Sequence, residues 1–141
     1  MLALGNDHGG YTLMRYITGV LDELGEAYVW LGSKTDERCD YPDFAAAVAR
    51  AVVSGEADRG ILICGTGIGM SIAANKVPGI RAALCGDLYS AEMTRRHNDA
   101  NILCMGARVI GDEVARRITE VFLRTEFEGG RHAVRIAKLV P

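Results

Sequence analysis

The chain has 141 residues, of which 49% are hydrophobic and 24% charged, and its formal net charge is −2. This fits one globular domain over residues 1–141 with one substantial core, and it excludes bulk attraction to nucleic acid or an anionic membrane. No apolar run approaches the roughly 20 residues needed to span a bilayer.

Met1–Asp7 lacks the basic start and long apolar stretch of a secretory signal, which points to the cytoplasm. The four cysteines, Cys39, Cys64, Cys85 and Cys104, are widely spaced without a Cys-x-x-Cys motif. They read as free thiols rather than as a disulfide framework or a zinc site.

In chain order, Leu2–Leu4 predict a first strand, and Gly5–Gly10 a polar loop. A helix follows over 11–24, with Leu13, Tyr16, Ile17, Val20, Leu21 and Leu24 on one face and Gly25 as its stop. Ala27–Leu31 predict a second strand, in which Trp30 reads as sheet packing. After a loop over 32–41, Pro42 opens a helix that runs to Ser54. Ile61–Ile63 form a β-branched apolar run expected of a buried parallel strand. Met70–Lys76 predict a short helix, Ile80–Leu84 a fourth strand, and Asp87–Asn98 a helix. Asn101–Met105 predict the fifth strand, and Asp112–Arg124 a helix with acidic residues in its first turn. Gly129-Gly130 breaks the chain before a last basic helix over 131–138.

Five strand–helix units with short connections imply a three-layer α/β/α sandwich, Rossmann-like, with a five-stranded parallel sheet flanked by helices. Such folds bind ligands at the carboxyl ends of the strands. Asp7 and His8, Cys64, Cys85-Gly86-Asp87 and Gly106–Arg108 all fall at such ends.

The densest of these is Cys64-Gly65-Thr66-Gly67-Ile68-Gly69, between a strand end and a helix start. A glycine-rich turn there lines up backbone N–H groups and favours an anion, and a thiol beside it would be stabilised as thiolate. Cys64 is then a base or nucleophile; alternatively it is one more buried cysteine, and the glycines serve helix–strand packing. Gly-x-Gly-x-Gly is neither the dinucleotide fingerprint nor a P-loop. His8, His97 and Cys64 lack metal-ligand spacing. Arg131 and Arg135 share a helix face and, with Arg108 at a strand end, suit a phosphate, although a solvated basic tail explains the pair as well.

These residues resemble the ribose-5-phosphate isomerase B and galactose-6-phosphate isomerase family over nearly the whole chain. The resemblance rests on Gly5-Asn6-Asp7-His8-Gly9-Gly10, Asp40-Tyr41-Pro42, Ile63–Gly69, Ala73-Ala74-Asn75-Lys76, His97-Asn98-Asp99-Ala100-Asn101 and Gly106-Ala107-Arg108. It implies isomerisation of a sugar phosphate through an enediol, without metal or cofactor, in a homodimer or a dimer of dimers. It further implies Cys64 as the base between C1 and C2; a branch that lacks this cysteine carries glutamate where this chain has Met70. The amides of Gly65, Gly67, Ile68 and Gly69 are implied to stabilise the enediolate. Asp7 is implied to handle hydroxyl protons, and His97 with Thr66 to open the sugar ring. His8, Arg108, Arg131 and Arg135 are implied to hold phosphate, while Tyr41 and Asn98 line the site. His97, Asn98, Arg108, Arg131 and Arg135 are expected from the partner subunit.

The resemblance also bears on the sugar: the family's galactose-6-phosphate branch does not keep the cysteine and the His-Asn-Asp segment in one subunit, so the presence of both Cys64 and His97-Asn98-Asp99 here implies ribose 5-phosphate and ribulose 5-phosphate, an interconversion of the pentose phosphate pathway, over a hexose 6-phosphate such as allose or galactose 6-phosphate. The competing readings are a sugar-phosphate binding protein without catalysis and a redox sensor built on Cys64.

Overall fold

The computed structural model describes residues 1–140. Strands β1 (Leu2–Asn6), β2 (Tyr28–Trp30), β3 (Arg59–Cys64), β4 (Ala82–Leu84) and β5 (Ile102–Gly106) form one sheet. Helices are α1 (Tyr11–Leu24), α2 (Tyr41–Val53), α3 (Ile68–Ala74), α4 (Leu88–Asn98), α5 (Asp112–Arg124) and α6 (Arg131–Ile136). All strand pairs are parallel, in the order β2-β1-β3-β5-β4. The three-layer α/β/α arrangement follows.

The layers obey the handedness of parallel crossovers. Steps from β1 to β2 and from β4 to β5 run one way along the sheet; those from β2 to β3 and from β3 to β4 run the other way. Right-handed connections therefore put α1 and α4 on one face and α2 and α3 on the other. The core divides accordingly. Leu13, Ile17 and Leu21 of α1, Ala91 of α4 and Ile118 and Phe122 of α5 pack on Leu4, Ile63 and Met105. Ala45, Val48 and Ala49 of α2 and Met70 of α3 pack on Leu62, Cys64 and Cys104. Large side chains buried this fully contribute roughly 1.5–3 kcal/mol each.

The predicted elements are all present, with shifted ends. β2 and β4 are three residues each because each is an edge strand with one neighbour. α2 starts at Tyr41, one residue early, so Pro42 occupies the first turn, where no backbone donor is required. α3 starts at Ile68 and ends at Ala74 rather than spanning 70–76. Gly67 takes φ 80° as its N-cap, which turns the chain early and draws Gly69 into the helix. Trp30 packs against the core as expected, and its Nε1 also donates to Asn6 Oδ1 at 2.7 Å. Asn6 is fully buried at the end of β1 and donates through Nδ2 to the carbonyls of Asp7 and Ser33. Every polar group of that side chain is paired, which pins the exit of β1. No helix among the described residues is long and apolar enough to cross a membrane.

Candidate active site

The carboxyl ends of β1, β3 and β5 are adjacent in the sheet, and β1 and β3 flank the point where the connections reverse direction. At the first, Asp7 is buried and its Oδ1 accepts the Gly10 amide at 3.0 Å, closing a short 3-10 turn over His8–Gly10. Gly10 lies against the backbone of Ile63 with no room for a side chain. Half-buried His8 accepts the Cys39 amide at Nδ1, 3.3 Å away. That bond assigns the proton of neutral His8 to Nε2, leaving a donor on the open side of the ring.

At the second, Cys64 is buried and closes β3. Its Sγ accepts the Gly67 amide at 3.2 Å, which fixes the sulfur over the turn. A side chain at Gly67 is strained: its φ is 80°, and a Cβ would meet the Met105 carbonyl carbon at 2.8 Å. Exposed Thr66 accepts the Ile68 amide through Oγ1 at 3.2 Å. The amides of Gly67 and Ile68 thus have partners within the loop itself. Gly65, Thr66 and Gly69 carry the amides left for an oxyanion. Tyr41 from α2 lays its ring on Gly69, where an added Cβ would come within 2.6 Å of Cζ.

At the third, the Ala107 and Arg108 amides donate to the carbonyls of Cys64 and Gly65, each at 2.9 Å. The Arg108 guanidinium turns back over the loop. A Cβ on Gly65 would stand 3.1 Å from Nη1, and one on Gly9 3.6 Å from Nη2. Arg108 therefore belongs with Cys64 and Asp7 of its own chain, contrary to the expectation that it arrives from a partner. It extends from the end of β5, and β5 is registered directly on β3 through Cys64 and Gly106.

His97, Asn98, Arg131 and Arg135 gather elsewhere. α4 starts beyond the carboxyl end of β4 and returns antiparallel to the sheet, so its last turn lies at the opposite end of the strands. Its 11 residues span about 16 Å. There His97, Asn98, His132, Arg135, Ile136 and Leu139 line a cavity of about 290 Å³. The end of α4 is held firmly. Arg81 Nε donates to the carbonyls of Asn98 and Asp99 at 3.1 and 3.0 Å. Buried Arg95 reaches Asp99 Oδ1 at 2.9 Å and the Ala100 carbonyl at 2.6 Å. Asp99, at φ 47°, is the one non-glycine in the left-handed region among the described residues. Its carboxylate bonds offset the strain of that position.

Glu128 and His132 complete this cluster. Both were missed from sequence, although their spacing of four, beside Arg131, was the available signal. His132 stacks on His97 with ring centroids 4.2 Å apart and planes 12° apart. The Glu128 Oε1 lies 3.5 Å from His132 Nε2 and 3.9 Å from His97 Nε2, while Arg96 Nε holds Oε2 at 2.6 Å. The Arg96 contact keeps the Glu128 carboxyl below its ordinary range. Burial, then the neighbouring His97 and Arg131, push the His132 imidazole down from its usual value.

The two other buried thiols, Cys85 and Cys104, are passive. Burial pushes Cys85 up to about 11 and Cys104 higher still, so both stay protonated near neutrality. That argues against a redox relay from Cys64.

A parallel α/β sheet with glycine-loop amides, a buried cysteine and an arginine at its switch point defines a site for a small anionic substrate. The family model described as Ribose/Galactose Isomerase matches residues 2–139, and the chain belongs to that family. It is 50% identical over 135 residues to ribose-5-phosphate isomerase B of Escherichia coli, covering 96% of this chain and 91% of that protein. It is 45% identical over 139 residues to D-erythrulose-4-phosphate isomerase of Pectobacterium atrosepticum, covering 98% and 91%. The structure of Clostridium thermocellum ribose-5-phosphate isomerase B superposes with a TM-score of 0.97 at 55% identity, covering 98% and 93%.

Proposed function

We propose that this protein is a cytoplasmic aldose–ketose isomerase that interconverts D-ribose 5-phosphate and D-ribulose 5-phosphate, with a site shared between two copies of the chain. The observation that carries this reading is Cys64 Sγ, fixed by the Gly67 amide beside Asp7 and Arg108.

Arg108 and the Nε2–H of His8 grip the phosphate, and this remote binding energy orients C1 and C2. Cys64 removes the proton from the carbon next to the carbonyl and returns it to the neighbouring carbon. The enediolate oxygen meets the amides of Gly65, Thr66 and Gly69, each worth on the order of 3 kcal/mol if well placed. Asp7 carries the hydroxyl proton between O1 and O2, and Tyr41 walls the pocket.

The far cluster supports the shared site. His97, Asn98, Arg131 and Arg135 have the chemistry to open a sugar ring and hold phosphate, yet they lie at the other end of their own sheet. A second copy whose far end caps the Cys64 end closes the pocket without a lid. Exposed Ile68, Ile72 and Leu84 beside the glycine loop offer apolar surface for that contact.

The test is a proton NMR time course in deuterated water with ribose 5-phosphate, allose 6-phosphate, galactose 6-phosphate and erythrulose 4-phosphate. Ketose formation from ribose 5-phosphate, with solvent deuterium at the carbon next to the carbonyl, is expected. Faster turnover of another sugar moves the substrate and keeps the mechanism. Absence of exchange on every sugar rejects the isomerase reading.

A further inference from the structure

The pair Glu128 and His132 has no role in the chemistry above, and both face His97. The Nε2 of buried His132 has no hydrogen-bond partner among the described residues; its nearest acceptor is Glu128 Oε1 at 3.5 Å. Glu128 is tied to α4 twice more, by its amide to the Arg96 carbonyl at 3.1 Å and by its Oε2 to Arg96 Nε. The three ligand-type side chains come within 4.8 Å of one another. A divalent cation fits them poorly. The two imidazole planes are nearly parallel, so their lone pairs run side by side and do not converge on one ion, and Arg96, Arg131 and Arg135 surround the cluster with positive charge.

We propose that Glu128 and His132 are positioning residues that hold the His97 imidazole for opening the sugar ring. This rests on the isomerase reading. Glu128, anchored by Arg96, faces one edge of His97, and the buried His132 ring covers one of its faces. What remains open to substrate is the opposite face and the far edge.

In ring opening, the bond between C1 and the ring oxygen breaks. The ring oxygen gains a proton from His97 as the C1 hydroxyl loses one to Asp7, so no net proton is taken up. A second positive charge on His132 would sit 4.2 Å from the charged form of His97, and the two repel. The charged groups facing the pair are Arg96 of α4, Glu128 of the loop after α5, and Arg131 and Arg135 of α6. A neutral His132 therefore sets no second positive charge against the ring of His97.

Ribose 5-phosphate is a closed ring in solution, whereas ribulose 5-phosphate, with its terminal oxygen phosphorylated, is open-chain. The experiment compares, for wild type, Glu128→Gln, His132→Ala and His132→Phe, turnover of ribose 5-phosphate with deuterium exchange into C1 of ribulose 5-phosphate. Glu128→Gln and His132→Ala are expected to lower ribose 5-phosphate turnover about tenfold or more. Exchange into ribulose 5-phosphate is expected to stay within about twofold of wild type. His132→Phe keeps the stacked ring and the volume and is expected to stay within about threefold in both assays. Equal losses in the two assays, or no loss for Glu128→Gln and His132→Ala, would overturn the positioning role. If wild type itself exchanges no deuterium into ribulose 5-phosphate, it is the isomerase reading that fails. Wild-type exchange with indifferent variants rejects the positioning role alone.

Discussion

The two ends of the sheet are built differently. At the carboxyl end, Asp7, Cys64 and Arg108 are placed by backbone: strand register, a 3-10 turn and glycines that admit close approach. At the amino end, His97 and Asn98 are placed by side chains, through Arg81, Arg95, Arg96, Glu128 and His132. The first end is a scaffold of backbone amides fixed by the fold; the second is a set of charged side chains held by one another. A backbone-built site tolerates little substitution in its glycines, whereas a charge-built one degrades by steps.

The largest effect should come from Cys64→Ala, which removes the thiol proposed as the base while leaving the loop intact. Turnover is expected to fall about a thousandfold, with the dissociation constant for ribose 5-phosphate within a few fold; near-normal turnover would remove Cys64 as the base. Mixing tests whether the two ends meet. Cys64→Ala and His97→Asn chains, each inactive alone, are unfolded and refolded together. In the proposed dimer, half of the pairs are mixed, each with one intact site, so about a quarter of wild-type activity should return. No recovery in a mixture that demonstrably forms mixed dimers would place each site within one chain.

Next in size, Arg108→Ala and Arg131→Ala are each expected to raise KM about tenfold with kcat little changed. A double variant no worse than either single one would show that the two arginines, from opposite ends, hold the same phosphate. Gly67→Ala forces a side chain into φ 80° against Met105. It should cost about 1–3 kcal/mol of stability in urea unfolding. The smallest effect concerns pH. Because the imidazole of His132 is depressed in the folded chain, the unfolded chain binds more protons below the ordinary value of 6.5. Stability attributable to this group is full above that value and is lost as pH falls through the folded value. His132→Phe should flatten the decline in urea midpoint on acidification below pH 6.5, and an unchanged decline would contradict it.

How legible each end was follows from its construction. Strand ends and glycine turns are local, so Ile61–Lys76 could be read as strand, loop and helix without knowledge of the fold. The sheet order also brings Asp7 and Arg108 to Cys64, but the guanidinium direction of Arg108 depends on room above Gly65 and Gly9, which no local pattern encodes. The far cluster joins residues 32 apart, as in the Arg96–Glu128 pair. Its members come from α4, α6 and the loop before α6. Arg131 and Arg135 stood out as charge; His132 between them carries no local signal, and only tertiary packing buries it. The shift in α3 has a similar origin, since Gly67 was read as loop and proved to be the cap.

The exposed contact between Arg96 and Glu128 makes one end of the molecule sensitive to its solvent. Added electrolyte weakens such a pair, whereas amides locked into a buried sheet are indifferent to it. Strong salt thus loosens the support of His97 without touching that of Cys64. Rates measured at saturating sugar phosphate, where screening of the arginine–phosphate contacts no longer limits binding, report across a salt series on two differently made ends of one molecule: ring opening should slow with ionic strength while exchange on the open-chain sugar holds steady.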